Sequence, residues 1–183
     1  MAHSSRLVRG IVAAVALNLA CAALVAASEP GPGYLAVDSW SAAAVSNNTV
    51  RLSVTTDGAI PKSPDEFISS NAIVGLAWAD LDTGKALVAT IHPVIGRDSH
   101  QRPDQWHLHT VQLTGGATSP NDFCLVAVTS TPTAGIRMQG STMSVDLAAD
   151  KLPVPVGDLD GAVGFTVHGD GACGSGFGVR VRT

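Results

Sequence analysis

Aromatic and charged residues are both scarce in this chain, at 4% and 14% of its 183 residues, and it has a single tyrosine. With few cationic side chains and a net charge of −4, it carries no electrostatic footprint for nucleic acid or an anionic membrane surface. No glycine-rich turn follows a strand and opens a helix, which argues against a dinucleotide or phosphate cofactor. A Gly-x-Ser-x-Gly elbow is also missing, so Ser175, and Ser99 beside His100, are nucleophiles by residue type only. Neither an amphipathic helix of normal length nor a repeat of fixed period is legible.

Cysteine is sparse as well, with three in the chain. Cys21 falls inside a stretch that reads as a secretory leader over residues 1–27: Arg6 and Arg9 precede an apolar run, and Val25-Ala26-Ala27 supplies a small-residue cleavage site. Cys21 invites a lipoprotein reading, which Asn18 and the continuation of the apolar run beyond the cysteine oppose. The expectation is therefore a secreted or periplasmic protein with no stable membrane insertion after cleavage. Removing the leader takes two of the eleven basic residues and none of the fifteen acidic ones, leaving nine against fifteen and a net charge of −6. About 155 residues remain, enough for one domain with a real core. In an oxidising compartment the remaining pair, Cys124 and Cys173, is expected to form one disulfide; two buried thiols are the alternative.

Short runs of period-two alternation, separated by turn chemistry, fill the mature chain. Strands are expected near 49–56, 73–81, 85–92, 105–113, 123–130, 136–147 with a break, 162–168 and 177–182. Asp82-Thr83-Gly84 joins two of them as a hairpin. About eight strands at this spacing imply an all-β fold, an antiparallel β-sandwich of Greek-key or immunoglobulin-like type. It would span 49–183 as a single domain, after an N-terminal tether and possible edge strand over 28–48. One helical turn is expected near 61–69, where Ser63-Pro64-Asp65-Glu66 resembles a helix start.

The chemistry-bearing motif lies on one of these strands, Trp106-His107-Leu108-His109-Thr110-Val111-Gln112-Leu113. Alternation puts His107, His109, Val111 and Leu113 on one face and Trp106, Leu108, Thr110 and Gln112 on the other. Two imidazoles side by side are half of a metal site; the same pair also suits two packed histidines. His168 ends a strand before a glycine-rich loop, His92 ends another before Pro93, and His100 lies in the polar loop that leads into the pair. Asp98 and Asp104 of that loop could ligate or orient an imidazole, or stand as solvated carboxylates near Arg97 and Arg102. Imidazoles without a thiolate favour copper or zinc over hard cations.

His107-Leu108-His109 with Val111 and Leu113, Phe165-Thr166-Val167-His168, and Ala172-Cys173-Gly174 followed by Arg180 together resemble Cu,Zn superoxide dismutase and the related sandwich domains called CHRD. The likeness covers roughly residues 73–182. It implies that His107 and His109 pair with His168. The Gly-Pro-His motif of the dismutases is absent, which weakens the implication of dismutase activity more than that of metal binding.

Three functions follow as expectations. One is an exported copper- or zinc-binding protein that stores, delivers or buffers the ion, with His107, His109 and His168 as core ligands and His92 or His100 as supplement; its partners would be the ion and a protein of the export compartment. Another is an oxidoreductase-type metalloenzyme with an open coordination position at the same site. The last is a non-catalytic binding or structural module, in which Trp40, Trp78 and Trp106 would form a recognition patch.

Overall fold

Period-two alternation decides this architecture, because almost every apolar side chain on one strand face finds a core. The computed structural model describes residues 32–62, 73–92, 105–115 and 121–182. The leader with Cys21, the start of the tether, most of the expected helical turn, and the loop bearing Asp98, His100 and Asp104 lie outside the described residues. Ten strands occur among the described residues: β1 (Val37–Ser46), β2 (Thr49–Thr56), β3 (Ile73–Asp80), β4 (Lys85–Ile91), β5 (His107–Gly115), β6 (Asp122–Ser130), β7 (Gly135–Gln139), β8 (Thr142–Ala148), β9 (Gly161–Gly169) and β10 (Phe177–Arg182). No helix among them is long and apolar enough to cross a membrane.

Every pairing is antiparallel. Strands β1-β2-β8-β7 form a four-stranded sheet, and β10-β6-β5-β4-β3-β9 close on themselves as a six-stranded barrel. The all-β antiparallel expectation holds, with ten strands in place of about eight. The extra strands have local causes: the edge strand forms in full as β1, and Gly140, at φ +60°, turns the chain between β7 and β8. Closure of the larger sheet distinguishes the molecule from a pair of open leaves. Alternation alone does not separate the two, since an inward face looks the same in a barrel and in a sandwich.

Two cores result. The outer faces of β3, β4 and β5, with Leu76, Trp78, Leu87, Ile91 and Leu108, pack against Val50, Leu52, Val54, Met143 and Val145 of the four-stranded sheet. The inner faces of the barrel form the second, smaller core around Ala77, Ala86, Val88, Val111, Phe165 and Val179. Leu35, fully buried, lies with its carbonyl against Gly164 on the outside of β9, where any Cβ would collide with it. Trp78 and Trp106 are buried in the first core, and the Trp106 indole N–H donates to the Pro61 carbonyl at 2.9 Å; only Trp40 is exposed. The three tryptophans therefore do not make a surface patch.

At the β3–β4 hairpin, both carboxylate oxygens of Asp80 are engaged. The backbone N–H groups of Asp82 and Thr83 donate to Oδ1, and the Thr83 hydroxyl donates to Oδ2. Gly84, at φ +68°, completes the turn. The expected pair of cysteines is bonded, Cys124 on β6 to Cys173 in the loop between β9 and β10.

Candidate metal centre

The register of β4 against β5 builds the site. Thr90 opposes His107 and Val88 opposes His109, so the inward series Val88, Thr90, His92 runs beside the inward series Val111, His109, His107. His92, one residue past the end of β4, reaches the same barrel rim as the HxH motif. His92 and His109 are buried, and His107 is half-buried.

The His107 and His92 Nε2 atoms lie 3.0 Å apart. His107 Nδ1 is 2.8 Å from the Gln105 carbonyl, which can only accept, so Nδ1 carries the proton and the neutral ring keeps its lone pair on Nε2. His109 Nδ1 is hydrogen-bonded to the Thr131 hydroxyl at 3.2 Å. The His107 ring meets both others edge-on, with centroids 4.7 Å from His92 and 4.8 Å from His109. One nitrogen from each of the three rings falls within 4.8 Å of the others, so this group could hold a metal ion. Around a tetrahedral zinc with bonds of about 2.0–2.1 Å, neighbouring nitrogens stand about 3.4 Å apart, so the widest separation would contract by roughly 1.4 Å. A backbone carbonyl holding Nδ1–H of His107 is the outer-shell partner that ligating histidines normally have.

His107 and His109 thus stand together as the alternation requires, and His92 is their third partner. His168 is not brought to them. It points to the outer side of β9, opposite Phe165 and Val167, and its ring lies over Gly178 of β10. Its Nδ1 is buried, with no hydrogen-bond partner among the described residues. His100 lies outside the described residues. The sequence reading did not single out the Gln105 carbonyl or the Thr131 hydroxyl. The first is a backbone atom without a sequence signature, and a single threonine just beyond a strand end, as Thr131 is beyond β6, carries none either.

Comparison with family models, with curated proteins and with solved structures found no match to this chain.

Proposed function

We propose that this chain is an exported copper- or zinc-binding β protein that stores, buffers or delivers the ion through His92, His107 and His109. The observation that carries the reading is the convergence of one nitrogen from each of three imidazoles to within 4.8 Å, one of the rings fixed by a backbone carbonyl. All-nitrogen donors favour the later first-row ions. Export is supported by the leader pattern at residues 1–27 and by the Cys124–Cys173 disulfide, a bond at home in extracellular and periplasmic proteins. Kinship with the dismutase-like and CHRD domains stays with this proposal, resting on the HxH strand and the late half-cystine.

A metalloenzyme of oxidoreductase type is the second reading. Three protein donors leave a coordination position for water or substrate, and His92 and His109 also line a cavity inside the barrel. Elemental analysis of the protein purified from its native compartment tests the common premise. About one equivalent of copper or zinc per chain, lost on replacing His107 and His109 together with alanine, is the expected result. No metal after challenge with both ions, or unchanged uptake by the double variant, overturns it.

A further inference from the structure

Small closed barrels normally fill their interior with side chains. This one does not. Alanine occupies the inward positions 77, 79 and 86 on β3 and β4, and a cavity of about 430 Å³ remains inside the barrel. Leu113, Phe123, Leu125, Val163 and Val167 face this space and stay only partly buried, although they belong to the barrel's own core. Leaving so much apolar surface uncovered forgoes both hydrophobic burial and dispersion contacts. The volume falls in the lower part of the range of small-molecule sites, about 300–1,000 Å³.

The few polar groups on the lining sit at the two ends. At one end the Asp80 carboxylate is committed to its own turn through Asp82 and Thr83. At the other stand Thr90, whose hydroxyl donates to the Val74 carbonyl and still offers lone pairs, and the imidazoles of His92 and His109. The wall between is aliphatic and aromatic.

We infer that the barrel interior binds a small, mainly apolar molecule whose single hydrogen-bonding group lies at the Thr90, His92 and His109 end. The inference goes beyond metal binding and does not require it, so its test uses metal-free protein.

Calorimetric titration of the metal-free protein with 1-octanol is expected to show saturable one-to-one binding with a negative heat-capacity change. Val163→Phe, which places a ring in the cavity, is expected to weaken binding at least tenfold while the far-ultraviolet circular dichroism is unchanged. Should that variant fail to fold, Ala79→Leu makes the same test with a smaller addition. Val45→Phe, at an exposed position on β1 of the other sheet, keeps full affinity. Nuclear Overhauser contacts are expected from the alcohol's C1 protons to the His109 ring and from its methyl group to Leu113. Absence of saturable binding, or wild-type affinity in the folded filled variants, overturns the inference; reversed contacts overturn the orientation. Metal uptake, measured separately, is free to fail while octanol binding stands, so the two readings fall independently.

Discussion

His92 Nε2 faces His107 Nε2 at 3.0 Å across the rim of the barrel, although fifteen residues separate them in the chain. With His107 protonated on Nδ1 by its bond to Gln105, the contact between the neutral rings requires His92 to donate from Nε2. A metal ion would take the place of that shared proton.

The ligand set is therefore distinguishable by single substitutions. His92→Ala is expected to lower zinc affinity by at least tenfold, and His168→Ala to leave it within about twofold of wild type, because outer-shell changes alone cost about 10–100-fold and His168 is outside even that shell. Competition with a chromophoric chelator reads both. Loss of uptake on replacing His168 would restore the ligand set implied by the dismutase resemblance.

Metal should also stabilise the fold. At free zinc one hundred times Kd, linkage adds roughly 2.7 kcal/mol, visible as a rise in Tm that the His107→Ala/His109→Ala variant lacks. Acidification reverses the gain, since protons compete for the same ring nitrogens. Differential scanning calorimetry with and without zinc, repeated at falling pH, checks both statements.

Asp80 makes a separate contribution to stability, one that acid removes. The Thr83 hydroxyl, then the backbone N–H groups of Thr83 and Asp82, hold its carboxyl below the usual carboxylate range, against the opposing effect of burial. A depressed folded-state pKa stabilises the protein above the ordinary value, and that stability is lost as pH falls through the lowered one. Asp80→Asn is therefore expected to be less stable than wild type at neutral pH, with the gap narrowing on acidification. Urea titrations at several pH values would show this; a gap independent of pH would mean that the charge contributes nothing.

The disulfide closes a loop of 49 residues, for which chain-entropy arguments give roughly 4 kcal/mol, with measured values more often about 2–4 kcal/mol. Replacing Cys124 and Cys173 with alanine should cost that much in urea unfolding.

Gly164 is tested by adding one methyl group. Gly164→Ala drives a Cβ into the Leu35 carbonyl, and overpacking of this kind costs about 1–3 kcal/mol. The same change at Gly157, where nothing stands within 4 Å, should be nearly neutral.

Much of the architecture was legible because the strands carry strict alternation and their turns carry the expected chemistry. The limits of β2 and β10 match the expected 49–56 and 177–182, and the Asp82-Thr83-Gly84 connection forms as read. Barrel closure was not legible, because it depends on which edges meet and no single strand encodes that. The case of His168 is different. Its face was readable, since Val163, Phe165 and Val167 on alternate positions point inward and leave His168 outside. Its place at a strand end before a glycine-rich loop, together with likeness to a known family, drew it toward the metal group against its own parity. His92 has the opposite history: it shares parity with Val88 and Thr90, but only the β4–β5 register reveals that it ends beside His107.

The joint between β6 and β10 pairs only three residues on each strand, Cys124 to Gly178, Phe123 to Val179 and Asp122 to Arg180. The bidentate contact of Arg180 with Asp122 and the disulfide reinforce it. In mechanical terms the barrel is a hoop with one short clasp pinned by a covalent bond, and the hoop should part there first once the disulfide is reduced. The β4–β5 pairing that sets His92 beside His107 lies on another arc and would survive the parting. A loosened clasp would thus empty the interior while leaving these two imidazoles in place, so one molecule could lose its apolar guest and keep that part of its grip on an ion.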